Sequence, residues 1–416
     1  AKTGYRSRSF LTVPMKDHEN VIIGVLQLLN AKDRATGAVG PFSDADLHLA
    51  ESLASQAAIA LTNRLLINRL ESLFESFIGL INAAIDDKSP YTSGHCARVP
   101  VLTMMLADAV DKCRVGPLKS FTISERDRHE LRIAGLLHDC GKVTTPVHVV
   151  DKATKLHTLC DRIHLLDTRF EVIRRDVLLQ RQTARLQALE DGNRGGPPDI
   201  ERECRARLAE IDADRAFLHQ CNIGTERMRA EDQQRVRQIS AKYRWRDTDG
   251  AEADFLTLDE VENLTITAGT LTRAERGIIN HHIDVTIRML EALPWPRHLQ
   301  NVPEYAGGHH ERMDGRGYPR GLTRAQMSVQ ARCMGIADIF EALTAADRPY
   351  KKGKTLSESL AILGRFKLDG HIDPDLFDVF MWERVYLDYA AKWMDPQQID
   401  AVDLAQIPGY VNPPGP

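Results

Sequence analysis

The chain has 416 residues, enough for two or three domains, with 43% apolar residues, 6% aromatic residues and a net charge of −4. So small a charge gives no basis for general nucleic-acid binding. No apolar run reaches membrane-spanning length and no secretory signal opens the chain, so a cytoplasmic protein is expected. Seven cysteines lie at long gaps without metal-finger spacing, which fits reduced thiols better than a disulfide framework. The chain opens at Ala1 and runs almost at once into strand-like sequence, which reads as a fragment of a longer protein.

Ser9 to Pro14 and Val21 to Leu29 read as two strands, with Asp17-His18-Glu19-Asn20 as the hairpin turn between them. Ser43 can cap a helix with Asp46 at its third position. Leu47, Ala50, Leu53, Ala57, Ala60 and Leu61 then recur at helical spacing, continued by Leu73, Phe77 and Leu80. That predicts one long connecting helix, or two end to end, and a parallel homodimer through it.

From Asp86 to about Asp151 the pattern is helical. In residues 155–221, Ile163, Leu166, Phe170, Ile173 and Val177 step by three and four, as in a coiled-coil seam. The Gly/Pro-rich stretch Gly192 to Pro198 breaks the helix, and Cys204, Leu208, Ile211 and Leu218 form a second stripe. An antiparallel helical hairpin, inserted into and projecting from the domain, is expected. Its charge reads as a solvated face, with protein-partner binding as the alternative. Residues 222–272 are less regular, the remainder to about residue 395 is mainly helical, and the Pro-rich end from Val411 to Pro416 is expected to be disordered.

The chemistry concentrates in two distant motifs. The apolar run Ile133 to Leu137 ends in His138-Asp139, followed by Gly141-Lys142; Gly307-Gly308 precedes His309-His310, and Gly317-Tyr318-Pro319 follows. Imidazole and carboxylate are the ligands that divalent first-row metals take for hydrolysis, and a buried carboxylate beside a buried histidine is costly unless paired or metal-bound. His282 shares a helical face with Ile278, Ile279, Val285 and Met289, so it points inward, whereas His281 lies with Gly277, Asp284 and Arg288. Asp338 is flanked on its helix by Gly335 and Ala342, small residues that let another element approach. Each residue alone has a structural reading, as a satisfied core histidine or a buried ion pair. Read alone, His95 in Thr92-Ser93-Gly94-His95 is structural, and Tyr318 is a turn residue before Pro319 at least as well as a base contact.

Residues 1–66 are similar to the C-terminal part of a GAF sensory domain, through Thr12-Val13-Pro14, Gly24 to Ala31 and Phe42-Ser43-Asp44-Ala45-Asp46. Here it is read as a structural cap and dimerisation element, joined by a connecting helix over 67–85 to a domain over 86–400 and a tail over 401–416. The chemistry-bearing pieces, in their order, resemble the HD-GYP family of metal-dependent phosphodiesterases. They are Tyr91-Thr92-x-Gly94-His95, His138-Asp139-x-Gly141-Lys142, an inward histidine, His309-His310-Glu311-Arg312 through Pro319, and Ala337-Asp338-Ile339-Phe340-Glu341-Ala342-Leu343-Thr344.

The resemblance implies a mainly α, all-helical metallohydrolase domain acting on cyclic di-GMP with iron or manganese. It implies His138, Asp139, His282, His309, His310 and Asp338 as metal ligands, with Asp139 as the bridge. His95 matches the opening histidine of the wider HD superfamily. Three-metal members carry a carboxylate where this chain has Tyr91, so two divalent ions are expected, with His95 a lesser ligand or a group behind the ligands. Lys142 would stabilise charge on the phosphoryl oxygens as a hydroxide bridging the ions attacks in line. Arg348 and Lys351 would hold substrate phosphate, and Gly317, Tyr318 and Pro319 would wall the substrate.

The chain departs from the commoner pattern in its insertion and in Thr344-Ala345-Ala346-Asp347, one residue longer than usual. Both leave substrate preference open between cyclic di-GMP, cleaved to linear pGpG and GMP, and 3′3′-cyclic GMP-AMP. A non-catalytic dinucleotide receptor or scaffold and a nucleotide phosphohydrolase of another HD branch are the alternatives from other classes.

Overall fold

A computed structural model describes residues 6–88, 94–191, 198–225, 227–346 and 353–414. The protein is mainly α-helical and divides into two compact units at Leu80–Ile81.

In the first unit, β1 (Phe10–Lys16) and β2 (Ile22–Leu29) form an antiparallel hairpin with Val13 opposite Leu26. The turn is built by Asp17, whose carboxylate accepts from the backbone N–H groups of Glu19 and Val21, both at 2.9 Å, and by Asn20 in the left-handed region. A second short pair, β3 (Ala31–Lys32) and β4 (Val39–Gly40), follows. Period-2 alternation places Leu11, Val13, Met15, Leu26 and Leu28 on one face, against Leu47, Ala50 and Ala54 of helix α1 (Asp44–Lys88). The Ser43 hydroxyl accepts from Asp46 N–H and the Asp46 carboxylate accepts from Ser43 N–H, a reciprocal cap that starts α1.

The second unit is built on α2 (His95–Lys112), which packs against α3 (Glu125–Leu137), α12 (Val329–Thr344), α14 (Pro374–Trp382) and α15 (Val385–Trp393). Leu102, Leu106, Leu131, Ile336, Phe340, Phe377 and Phe380 are fully buried there, and the Phe340 and Phe380 rings meet edge to face at 5.1 Å. A capping box between Ser124 and Asp127 starts α3. A 3-10 turn over Cys140–Thr144 leads into the single turn α4 (Val147–Val150).

Between α4 and α9 (Arg273–Asn280) lies the insertion. Helices α5 (Ile163–Glu190) and α6 (Pro198–Asn222) run antiparallel, as the cross-links Arg215 to Asp167, Arg174 to Asp212 and Arg181 to Glu201 require. The buried residues of α5 are Ile163, Leu166, Phe170, Ile173 and Val177, the set that steps by three and four in sequence. The hairpin does not project bare. Helix α7 (Ala230–Lys242), the ribbon β5 (Arg244–Arg246) and β6 (Glu252–Asp254), and α8 (Leu258–Leu264) close over it in one core from Leu156 to Leu264. Phe170 sits at its centre, 4.5 Å from the Phe255 ring and 5.9 Å from Tyr243. The irregular-looking residues 222–272 therefore complete the insertion. Their elements are too short for periodicity to reveal.

The remaining helices are α10 (His282–Glu291), α11 (Val302–Gly307) and α13 (Leu356–Leu368). The expectation of a disordered end needs correction at its start. Trp382 Nε1 donates to the Val411 carbonyl at 2.8 Å, Lys367 Nζ donates to the Gly409 carbonyl at 2.7 Å, and Ile407 is buried. These partners lie on α13 and α14, so local composition could not reveal them.

Phe170→Ala should cost about 3–5 kcal/mol, the usual penalty for emptying a buried phenylalanine site. Hydrogen exchange should show protection lost between Leu156 and Leu264 while α2 and α12 keep theirs. A uniform loss would mean that the insertion and the rest of the second unit unfold as one.

Candidate metal centre

All the ligand-type side chains except Asp338 reach the centre because a helix begins or ends there. Gly94, left-handed at φ 83, starts α2 with His95 as its first residue. Leu137 ends α3, so His138 and Asp139 follow at its C-terminal end. The inward-pointing histidine does not sit within one continuous helix, because the chain breaks at His281. His282 opens α10 and is buried, while His281 is exposed and pairs with Asp284 at 3.1 Å. Ile278, assigned to the inward face with His282, lies on α9 before the break and is exposed; Met289, on α10 itself, is exposed as well. His309 and His310 follow the end of α11. Asp338 lies mid-helix on α12, where Gly335 admits the His309 carbonyl: a Cβ there would lie 3.1 Å from that oxygen.

Asp139 is central. Its Oδ2 lies 3.3 Å from His95 Nε2 and 3.3 Å from His138 Nε2, while its Oδ1 lies 3.2 Å from His282 Nε2 on the other side. Asp338 Oδ1 lies 3.2 Å from His95 Nε2 and 3.9 Å from His138 Nε2. The ligand atoms fall into two groups, His95, His138 and Asp139, and His282, His309 and His310, each within 4.8 Å. His95 thus lies in one of the two clusters that could hold an ion, with its Nε2 facing Asp139 and Asp338. Lys142 Nζ donates to Asp139 Oδ2 at 2.6 Å.

Three histidines have fixed tautomers. His138 Nδ1 donates to the Gly135 carbonyl at 2.7 Å, His309 Nδ1 to Ala306 at 2.6 Å, and His282 Nδ1 to Ile279. Each Nε2 therefore presents a lone pair to the centre. Asp139 Oδ1, His282 Nε2 and His309 Nε2 are buried without a hydrogen-bond partner, an arrangement that costs free energy unless a cation meets the lone pairs. This donor set of imidazoles and carboxylates fits a divalent first-row ion, with Asp139 able to offer one oxygen to each of two.

The protonation pattern agrees. Burial pushes the His309 imidazole well down, helped by His310, and lowers His310 to about 4, so both are neutral. Burial opposes charge on Asp139, but the Lys142 ammonium holds its carboxyl well below the usual range. Burial likewise disfavours charged Asp338, and His95 outweighs it. Burial also disfavours protonated His95, yet Asp139, Asp338 and Glu341 hold its pKa well above the ordinary value.

Beside the centre opens a cleft of about 470 Å³, lined by His310 and Asp338 at the metal end and by Arg312, Arg316, Gly317, Tyr318 and His371 beyond. Tyr318 stacks on His310 with ring centroids 4.9 Å apart. Gly317 is required, because a Cβ there would collide with the Arg312 backbone nitrogen. Buried Glu311 accepts from the N–H groups of Arg320 at 2.7 Å and Leu322 at 2.9 Å and so holds the loop around Pro319. The peptide between Tyr318 and Pro319 is cis. Arg312, Arg316 and His371 were missed in sequence, because an isolated arginine or histidine carries no periodic signal. Tyr91, Arg348 and Lys351 lie outside the described residues.

The matches to known families divide along the same lines. HD-domain models match residues 92–209 and 259–376, and a GAF-domain model matches residues 2–61. The chain therefore carries an HD domain with the HD-GYP motifs, preceded by GAF-domain sequence. Among named relatives, it is 38% identical over 113 residues to a cyclic di-GMP phosphodiesterase of Pseudomonas aeruginosa, covering 27% of this chain and 26% of that one. It is 46% identical over 80 residues to the 3′3′-cGAMP-specific phosphodiesterase 1 of Vibrio cholerae, covering 19% and 18%. It is 33% identical over 128 residues to the cyclic di-GMP phosphodiesterase response regulator RpfG of Xanthomonas campestris, covering 30% and 33%. The aligned stretches thus span about a fifth to a third of these relatives.

Two outcomes test the centre. A Cβ at Gly141 would collide with the His282 carbonyl, and the neighbouring Thr286 hydroxyl accepts from Gly141 N–H at 2.9 Å. Gly141→Ala should displace His282 and weaken metal binding on the order of 10–100-fold without removing a ligand; chelator competition reads this, and wild-type affinity would contradict it. Because His95 holds its proton to unusually high pH, an ion must displace that proton, so binding weakens as pH falls. Titration calorimetry in buffers of different ionisation enthalpy should register net proton release near pH 7.

Proposed function

We propose that the protein is a metal-dependent phosphodiesterase that hydrolyses a cyclic dinucleotide, cyclic di-GMP first, to the linear dinucleotide and onward to GMP. The observation that carries the reading is Asp139, with one carboxylate oxygen toward His95 and His138 and the other toward His282. A phosphodiester resists water because its charge repels nucleophiles and its alkoxide leaves poorly. Two divalent ions, iron or manganese, held by His95, His138, Asp139, His282, His309, His310 and Asp338, would supply Lewis-acid activation of water and screening of that charge.

The chain's own residues do the rest. Lys142 holds Asp139 in place and brings a positive charge to the edge of the centre, where charge on phosphoryl oxygens would be stabilised. Arg316, with 80% of its side chain exposed at the cleft wall, would bind phosphate or base from the solvent side. Arg348 and Lys351 would hold substrate phosphate, as the family resemblance implies. Tyr318 is committed to His310 by stacking, which orients that imidazole. The full ligand set favours turnover over a receptor role, since a binding-only protein has no need of it.

3′3′-cyclic GMP-AMP is the second substrate reading, supported by the similarity to an enzyme named for it. A homodimer through α1 is part of the proposal as well: Ile59, Leu66, Leu73 and Leu80 recur every seven residues and are exposed.

Purified protein loaded anaerobically with Mn(II) or Fe(II) should turn over cyclic di-GMP, and comparing kcat/KM with 3′3′-cyclic GMP-AMP ranks the substrates. Asp139→Asn should lower kcat by on the order of 100–1000-fold, the scale of losing a main electrostatic element. Absence of turnover with both dinucleotides would sink the enzyme reading. Sedimentation should give a dimer that Leu66→Glu and Leu73→Glu together dissociate.

A further inference from the structure

His95 is anchored differently from the other fixed histidines of the centre. His138, His282 and His309 each donate Nδ1–H to the backbone carbonyl three residues earlier. His95 opens α2 directly after the left-handed Gly94 and is held by a side chain. Its Nδ1 pairs instead with Glu341 Oε2, and the other oxygen of Glu341 accepts from Arg98 Nε at 2.6 Å. Glu341 is buried and lies three residues beyond Asp338 on α12; Arg98 lies three residues beyond His95 on α2. The two packed helices thus each contribute one residue facing the centre and one behind it.

A carboxylate held by Arg98 can only accept, so the Nδ1 proton points to Glu341 and Nε2 is the atom turned toward Asp139, Asp338 and His138. An imidazole hydrogen-bonded to a carboxylate is a more basic, more firmly oriented ligand than one bonded to a peptide carbonyl. The three carbonyl-anchored histidines are divided between the two ligand groups, and the carboxylate-anchored one belongs to only one of them.

We propose that Glu341 is a positioning residue that makes the two ion positions unequal, raising the affinity of the one served by His95, His138, Asp139 and Asp338 over that served by His282, His309 and His310. The proposal rests on the metal-centre reading but not on the identity of the substrate.

The test is titration of the metal-depleted full chain with Mn(II) alone, following free Mn(II) by electron paramagnetic resonance. Wild type should take two ions with separable affinities. In Glu341→Gln the tighter site should weaken on the order of 10–100-fold, while the other keeps its affinity. Glu341→Asp, which restores the carboxylate, should recover most of the loss, an outcome that a merely space-filling role would not produce. His282→Ala should weaken the other site and leave the Glu341-dependent one. If Glu341→Gln does not fold by thermal melting, Arg98→Gln takes its place and should weaken the same single site. Wild-type titration of the glutamine variant, or equal weakening of both sites, overturns the inference. A wild-type chain that binds no Mn(II) overturns the metal-centre reading itself. Loss of dinucleotide turnover with both sites filled would instead count against the proposed reaction.

Discussion

A negatively charged carboxylate buried among imidazoles is the constraint around which the second unit is arranged. Asp139 has almost no contact with water, and desolvating its charge would cost several kcal/mol were it left unpaired. The fold meets that cost by bringing to it Lys142, three residues on, and His95 and His282 from two distant parts of the chain. Each donor sits at a helix end or in a close contact between helices, where the side chain is fixed before any ligand arrives. The three backbone carbonyls that hold Nδ1 of His138, His282 and His309 are a by-product of those helix ends: terminal carbonyls lack intrahelical partners and are free to accept. Helix geometry therefore both delivers the imidazoles and selects their tautomers.

The insertion shows how a metal centre tolerates a large addition between its halves. The chain leaves after α4 and returns at α9, so the interruption falls between His138-Asp139 and His282 without touching either. The added elements bury their own apolar residues in a separate core. One strong tie remains at the junction, where buried Lys152 binds Asn263 of α8 at 2.6 Å and Glu275 of α9 at 2.7 Å. Because Glu275 also caps α9, which leads directly to His282, the base of the insertion and the approach to the centre share a single charged contact.

The helical seams were legible because burial there follows a strict three-four step: Ile163, Leu166, Phe170, Ile173 and Val177 need no partner to be recognised. The hairpin of the first unit was legible for a similar reason, an alternating pattern broken by a turn of Asp and Asn. The junction at His281 was not, because a one-residue break leaves the apolar period almost undisturbed. The docking of Gly409 and Val411 was not legible either, since their partners Lys367 and Trp382 lie on helices whose placement no local pattern encodes. Glu341 left a trace, an acid three residues beyond Asp338, but spacing alone could not distinguish it from a surface carboxylate.

By itself the sequence determined the helical class, the motifs and which residue types could meet a metal, because composition, period and short-range spacing are properties of the chain. Only the tertiary structure decided that His95 stands within the cluster of ligand-type side chains, that Asp139 turns one oxygen to each side, and that Glu341 anchors His95. Those are relations between helices distant in sequence, set by packing and by the need to pair every buried charge, and no local pattern records them.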